Sequence, residues 1–318
     1  MVAVPNSDQP PSASVPDDVK SKPEEGVLES TASSGYVGLL PGTALIASEC
    51  DTITNRDRTT VVVFAGNVAS GKTTLLTSIY EEFLQGPFGG FAFAGSKTLV
   101  GYERVCHLNR FASGLSTAET ERTKGSDEAY YYHLSLKQHS TQCDKLQKQV
   151  IFAVPSGELY ELACDSADDC RALVFLRRAD VLAILINGEK LSNADTRAYE
   201  LDSAIQMLRS FLDANMIGTS TRVEYLISKY DCIRRGGQDA EDFANMTKKR
   251  LNVAFSSLLP TLKVREVAAR PVGEDLPLAY GVEEAFIDWL AVPSAITITE
   301  SESVVSRVQN AREIARFR

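Results

Sequence analysis

The chain has few of the residues that build metal centres, disulfide frameworks and membrane spans. Its 318 residues include three histidines and six cysteines, and no two cysteines form a C-x-x-C pair. This spacing disfavours a zinc knuckle or a redox dithiol, and scattered cysteines in a chain of this length are typical of reduced cytosolic thiols. No run of about 18 apolar residues is present, so we expect no membrane-spanning helix.

Basic charge is also scarce, because 33 Lys and Arg stand against 42 Asp and Glu, for a formal net charge of −9. An acidic chain does not bind nucleic acid by bulk electrostatics, although a local basic patch remains compatible with it. The first residues show neither the basic start nor the apolar stretch of a secretory signal. We therefore expect a cytoplasmic protein.

The sequence divides into a central domain and two tails. Residues 1–57 are predicted to be a disordered or loosely packed tail, because residues 1 to about 35 have too little apolar surface to offset their ordering entropy; residues 36–57 could pack on the domain edge. Residues 58–292 form the predicted domain. In the tail 293–318, a short basic amphipathic helix is one alternative, and a frayed terminus is favoured over it.

Short apolar runs alternate with helical periodicity throughout the predicted domain. Six runs are predicted as strands: Thr60–Phe64, Tyr130–Leu136, Gln149–Val154, Asp180–Ile186, Arg222–Ser228 and Leu262–Ala268. Helices are predicted over Gly71–Leu84, Glu158–Arg178, Asp195–Ala214, Asp239–Leu258 and Val282–Leu290. This alternation is typical of an α/β fold with a mostly parallel six-stranded sheet and helices on both faces. The second and third strands would form a hairpin that supplies one antiparallel edge strand.

The segment Gly66-Asn-Val-Ala-Ser-Gly-Lys-Thr73 matches the P-loop pattern G-x-x-x-x-G-K-S/T, between a predicted strand and a predicted helix as the pattern requires. Backbone N–H groups near the start of the helix would surround a diphosphate. Lys72 would reach the β- and γ-phosphates, and the Thr73 hydroxyl would bind Mg²⁺. The nucleotide-binding residues predicted here are Gly66, Asn67, Ala69, Ser70, Gly71, Lys72, Thr73 and Thr74.

A second motif indicates the base. Ser228-Lys-Tyr-Asp231 follows a predicted strand and matches the N/T/S-K-x-D pattern of GTPases. The Asp231 carboxylate would accept hydrogen bonds from guanine N1–H and N2–H₂. Adenine offers neither donor, so it would leave the carboxylate unpaired. The Lys229 stem would lie along the base plane.

The turn after the last strand could contact the other edge of the base. Val267-Ala-Ala-Arg270 stands where guanine-specific folds place a small turn whose backbone N–H meets guanine O6. Ala269 is the candidate for that contact, with Arg270 beside it.

One expected catalytic residue is missing at the end of the hairpin. Gly157 fits the glycine of a D-x-x-G motif, so Val154 stands where an aspartate would orient a metal-bound water. Glu158 occupies the position of a water-positioning glutamine in many GTPases. It could orient water, although it would add like-charge repulsion beside a γ-phosphate; an acidic helix start favoured by the dipole is an equal alternative.

The long polar loop before the hairpin should carry a switch threonine that meets Mg²⁺ and the γ-phosphate. Thr117, Thr120 and Thr123 compete for this role. We favour Thr123 as a catalytic and metal-binding residue, with Arg122 as a charge-stabilising neighbour.

Three segments together resemble the bacterial type 2 "double-GTPase" family, a TRAFAC-class group of P-loop GTPases associated with anti-phage conflict systems. They are Phe93-Ala-Gly-Ser-Lys-Thr-Leu-Val-Gly-Tyr-Glu-Arg104, an E-T-x-R-T stretch in the long loop, and Ser156-Gly-Glu158. The resemblance spans about residues 58–292 and implies the P-loop NTPase fold of Ras-like GTPases, with GTP and Mg²⁺ as ligands. Members usually have aspartate where this chain has Val154 and Asn187, so the chain resembles a divergent member.

The resemblance and the motifs leave three functional hypotheses. The first is a GTP-hydrolysing switch that acts through protein partners from its own system or a second GTPase. The second is a GTP-binding scaffold or sensor with little or no hydrolysis, motivated by Val154. The third is an ATPase or kinase that shares only Lys72, for which the sequence has no recognisable acceptor site or lid.

Overall fold

A seven-stranded sheet organises the part of the chain that the computed structural model describes, residues 42–107, 129–139 and 147–291. These residues belong to one structural unit, Leu39–Arg318. The strands are β1 Thr59–Ala65, β2 Phe91–Gly95, β3 Tyr130–Gln138, β4 Gln147–Val154, β5 Val181–Asn187, β6 Arg222–Ser228 and β7 Lys263–Glu266.

The strand order is β2-β3-β4-β1-β5-β6-β7. Pairing is parallel from β4 through β7, and β3 is antiparallel to both β2 and β4. The predicted mostly parallel sheet with an antiparallel edge is therefore confirmed. It has one strand more than the predicted six, because Phe91–Gly95, in the glycine-rich stretch after the first long helix, pairs with β3 at the sheet edge.

Ten α-helices lie in the described ranges. They are α1 Ala47–Thr54, α2 Lys72–Gln85, α3 Leu99–His107, α4 Gly157–Asp165, α5 Ala167–Ala172, α6 Gly188–Ser192, α7 Arg197–Asp213, α8 Tyr230–Arg235, α9 Gly237–Phe255 and α10 Val282–Leu290. The single helix predicted over Glu158–Arg178 is instead α4, α5 and a 3₁₀ turn at Val174–Arg178. Ser166 causes the break, because its extended backbone ends α4 and its hydroxyl accepts from Asp169 N to start α5.

The central strand β1 separates two apolar cores. Its alternate residues Val61 and Val63 join one buried cluster, whereas Val62 and Phe64 join the other, as the two-residue period of a strand requires. Helices α4, α7 and α9 pack on the first cluster, and α2, α3 and α10 on the second. Both faces of the sheet are thus covered, which explains the continuous apolar runs in its central strands.

Residues 42–54 pack on the domain, although the sequence places them in a loosely packed tail or at the domain edge. Leu45 exchanges backbone hydrogen bonds with Tyr131 at 2.8 and 3.2 Å, and Leu45 and Ile53 are each 3% exposed. Gly101 of α3 lies close to the backbone of Thr43, where a Cβ would come within 3.1 Å. The segment therefore contacts the elements on either side of the long loop, α3 and β3.

Candidate functional site

The loop between β1 and α2 has backbone angles that few side chains allow. Gly66, Ala69 and Gly71 have φ of 141°, 63° and 93°. A Cβ on Gly66 would lie 2.6 Å from Leu185 O and 2.7 Å from Ser70 Oγ, so only glycine fits there. The loop bends tightly and delivers the chain to the first turn of α2, where backbone N–H groups have no intrahelical partners.

Lys72 is held at the centre of this loop. Its side chain is 7% exposed, and its ammonium donates to Gly66 O at 2.7 Å and to Asn67 O at 3.1 Å. Burial lowers the pKa of Lys72 to about 8, against the opposing attraction of Glu161, Glu158 and Glu200. A phosphate placed in the loop would supply an anionic partner for this buried charge.

A cavity of about 530 Å³ opens beside the loop, bounded by residues of α2, β5, β6, α8 and the turn after β7. Asp231 lines it and is 6% exposed. One carboxylate oxygen, Oδ2, accepts from Arg235 Nη2 at 3.0 Å and from Val272 N at 3.1 Å. Lys229 also lines the cavity, and its ammonium is paired with Glu189 at 2.7 Å.

The hydroxyl of Ser228 connects the Ser228–Asp231 motif to the phosphate loop. It lies 2.7 Å from Ser70 O and 3.0 Å from Ile186 O. Gly71, at the end of the phosphate loop, also lines the cavity. The two sequence motifs, about 155 residues apart in the chain, therefore share one wall of the cavity.

The turn Ala269–Arg270 lies at the other side of the cavity and is tied to α2. Ser78 donates its hydroxyl to Ala269 O at 3.2 Å, and Arg270 forms an ion pair with Glu81. Because Ser78 and Glu81 both belong to α2, the helix that begins at the phosphate loop also positions the turn that could face guanine O6.

The start of α4 lies directly against the phosphate loop. A Cβ on Gly157 would overlap Val68 N and would lie 2.7 Å from Asn67 C. The N-cap of α4 is Ser156, which accepts from Glu158 N at 3.3 Å. Ser156 also donates its hydroxyl to the carboxylate of Glu158. Glu158 is exposed on the helix's first turn, which is also the place the helix dipole favours for a carboxylate.

The described residues fit Mg²⁺ only in part. Val154 ends β4 with 1% exposure, inside the apolar cluster that contains Leu75 and Leu76, so no carboxylate is available at that strand end. No group of three or more His, Cys, Asp or Glu in the described ranges could hold a metal ion. Thr73 remains the one predicted protein ligand there, and nucleotide phosphates would have to supply the other charged oxygens.

The structure brings most of the predicted site residues to this loop and cavity, and the roles assigned to them remain predictions. Thr123, like Thr117, Thr120 and Arg122, lies outside the described residues. Sequence reasoning gave no role to several residues that touch the predicted ones: Asn187, Glu189, Arg235 and Val272. For Arg235 the signal was its spacing, four residues after Asp231 on one helical turn.

The fold and the phosphate loop define a P-loop nucleotide-binding protein of the Ras-like GTPase class. The Double-GTPase 2 (DO-GTPase2) family matches residues 60–290, and the chain belongs to this family. Membership makes it a GTP-binding P-loop protein. In the part of the chain that the structure covers, no helix has the length and apolarity to cross a membrane.

Several solved structures are similar at low identity, whereas a comparison with curated proteins finds no match. The signal recognition particle receptor SRb-GTP/SRX complex from Chaetomium thermophilum is 14% identical over 71% of this chain and 96% of that chain, with a TM-score of 0.38. The S. cerevisiae Ski7 GTPase-like domain bound to GDP and inorganic phosphate is 12% identical over 77% of this chain and 53% of that chain, with a TM-score of 0.45. This chain thus spans about half of the Ski7 chain.

Proposed function

We propose that this GTP-binding protein is a GTP-hydrolysing molecular switch that acts through protein partners in the cytoplasm. The observation that carries the proposal is the backbone contact between Gly157 and Val68. The element that would meet a γ-phosphate, the start of α4, lies directly on the loop that would hold the phosphates. A change at the γ-phosphate would therefore reach α4 without an intermediate element.

Guanine selectivity follows from the surroundings of Asp231. One carboxylate oxygen is already occupied by Arg235 and Val272 N, which fixes the orientation of the group in a mostly apolar pocket. Guanine would offer two donors to this carboxylate, and adenine would offer none there. With ATP, Oδ2 would keep its two partners, but the other buried oxygen would receive no donor from the base. Such a lost partner costs more than an ordinary hydrogen bond, so ATP should be disfavoured.

Lys72 and Glu158 are the catalytic candidates in the described residues. Lys72 would neutralise charge that develops between the β- and γ-phosphates. Glu158 would orient the attacking water once its carboxylate leaves the hydroxyl of Ser156. Mg²⁺, when bound, would offset phosphate charge, with Thr73 as its protein ligand; no step depends on it in this scheme.

A second candidate function is a GTP-dependent scaffold or sensor without useful hydrolysis. Val154 favours it, because this buried apolar side chain replaces the carboxylate that would orient a metal-bound water. Under either function, the family resemblance supports partners from a bacterial anti-phage system or a second GTPase.

Nucleotide binding by wild type and Asp231→Asn tests the base assignment. We expect wild type to prefer GTP over ATP, and Asp231→Asn to lose about 10- to 100-fold in GTP affinity with no matching loss for ATP. Asp213→Asn, which removes an exposed carboxylate at the end of α7, is the matched control and should bind like wild type. Equal GTP affinity in wild type and Asp231→Asn would reject the guanine pocket.

Single-turnover GTP hydrolysis separates the switch from the scaffold. We expect slow turnover in wild type, on the order of 10⁻³ s⁻¹ as for unassisted GTPases, and none in Lys72→Ala. If wild type binds GTP without turnover and Val154→Asp restores some, the scaffold or sensor is the correct function.

A further inference from the structure

The last residue of β5, Asn187, uses both ends of its side-chain amide. Its Nδ2 donates to Ala69 O at 3.1 Å, and its Oδ1 accepts from Glu189 N at 3.0 Å. The residue is 2% exposed. Only the NH₂ end can meet a carbonyl and only the oxygen can meet an N–H, so the two contacts together fix the amide in one orientation.

A buried carboxylate fixes the backbone of the same residue. Asn187 N donates to Glu200 Oε1 at 2.8 Å, and Glu200 is 1% exposed with its other oxygen 3.4 Å from Lys190 Nζ. The next residue, Gly188, has no room for a Cβ, which would overlap Ser228 O. The turn at the end of β5 is therefore held between Glu200 of α7 and the Ser228–Asp231 motif.

Asn187 and Ser228 are direct neighbours across β5 and β6, since the parallel register pairs them. Asn187 donates to Ala69 O, and Ser228 lies 2.7 Å from Ser70 O. Adjacent strand ends thus hold two successive carbonyl groups of the phosphate loop. Ala69 has a φ of 63°, a left-handed conformation that costs free energy in a residue with a Cβ and needs support from its surroundings.

Holding these carbonyls also sets the direction of the neighbouring N–H groups. In a trans peptide the N–H points opposite to the carbonyl. With the Ala69 and Ser70 carbonyls drawn toward the strand ends, the N–H groups of Ser70 and Gly71 point away from the sheet edge. Ser70 N–H accordingly donates into the loop, to Asn67 O at 3.2 Å.

We propose that Asn187 is a positioning residue for nucleotide binding, which pairs with Ser228 to set the peptide groups of the phosphate loop. In this chain the amide supplies the donor, whereas an ionised carboxylate at this position would place an acceptor against the Ala69 carbonyl. This inference rests on the GTP-binding part of the proposed function, and it gives the asparagine a specific role in this chain.

The test is the affinity for GTP of Asn187→Asp as a function of pH. At pH 8 we expect about a 10- to 100-fold loss relative to wild type, because one hydrogen bond is lost and two acceptors face each other. As the pH falls toward about 5, the introduced carboxyl takes up a proton and becomes a donor again. The ratio of variant to wild-type affinity should then recover, which a merely structural defect would not do.

Asn193→Asp is the matched control. Asn193 is exposed near the same turn, and its Oδ1 accepts from Asp195 N at 2.9 Å, a role that aspartate keeps. Its affinity ratio should stay near one at every pH. Asn187→Ala, which has neither donor nor charge, should lose affinity without recovery at low pH, and it replaces Asn187→Asp if that variant does not fold.

The outcomes are distinguishable. If wild type fails to bind GTP, the proposed function fails before Asn187 is tested. If wild type binds and Asn187→Asp matches it, or loses affinity by the same factor at every pH, the positioning role is wrong. Wild-type affinity in folded Asn187→Ala would overturn the inference as well.

Discussion

Replacing Gly157 by alanine should separate α4 from the phosphate loop. The added Cβ would overlap Val68 N and lie 2.7 Å from Asn67 C and Val68 Cα, at least 0.7 Å closer than ordinary contact at 3.4 Å. All three atoms belong to the backbone, so no side-chain rotation can relieve the clash. Overpacking of this kind costs about 1–3 kcal/mol. If the whole cost falls on the loop conformation that binds nucleotide, the affinity for GTP falls by about 5- to 150-fold.

The assay is a titration of Gly157→Ala with fluorescently labelled GTP and GDP, together with denaturant unfolding to confirm the fold. We expect the loss to be larger for GTP than for GDP, because only GTP carries the phosphate that α4 would meet. Gly218→Ala is the control, since its Cβ would meet nothing closer than 3.7 Å. GTP affinity of Gly157→Ala within twofold of wild type would show that the contact does not couple α4 to the nucleotide.

Three further changes test the surrounding structure. Lys72→Met should abolish GTP binding yet raise the melting temperature of the nucleotide-free protein at pH 7. Folding lowers the pKa of Lys72 from 10.5 to about 8, so the free-energy cost of burying the charged lysine is fully present below pH 8 and fades as the pH rises toward 10.5. A variant that is less stable than wild type at pH 7 would contradict this expectation. Trp289→Phe should lower the free energy of unfolding in urea by about 2–4 kcal/mol, because it removes the indole N–H that donates to buried Glu224 and reduces the buried side-chain volume. A loss of stability below about 1 kcal/mol would count against that hydrogen bond. Gly101→Ala should release residues 42–54 to protease while GTP still binds, because its Cβ would lie 3.0 Å from Ala44 N, and unchanged protease resistance would show that the backbone adjusts.

The sequence predicts the strands of the core well because they are buried on both faces and read as continuous apolar runs. The strand at Arg222–Ser228 and the helix at Val282–Leu290 have the predicted bounds. The edge strand Phe91–Gly95 was not predicted from the sequence. It is short, contains alanine and glycine, and is only partly buried, so it does not form a continuous apolar run. Its strand conformation comes from pairing with β3, which local sequence does not encode.

The break at Ser166 has a similar explanation. Its flanking residues favour helix on both sides, so periodicity alone predicts one continuous element over Glu158–Arg178. The serine hydroxyl instead caps a new helix, and Cys170, in that helix, is buried in the core. Both α4 and α5 also pack against α7, which accommodates the change of direction at Ser166.

The sequence by itself determined the chemistry that short motifs can carry. Glycines at fixed spacing, Lys72 and the S-K-x-D segment predict a phosphate loop and a base-recognition carboxylate, because backbone angles and hydrogen-bonding groups are local properties of a few neighbouring residues. The family resemblance, which the match over residues 60–290 confirms, rests on other segments, among them Phe93–Arg104 and Ser156–Glu158.

Only the tertiary structure decided how these motifs are held together. The contact of Gly157 with Val68, the amide of Asn187 on Ala69 O, and the hydrogen bond from Val272 N to Asp231 depend on strand order, register or the approach of separate elements. Asn187 is 118 residues from Ala69 in the chain, and nothing local in either segment indicates the other. Such contacts form because burial of both sheet faces fixes the register of β5 beside β6, and with it the place where each strand end meets the loop.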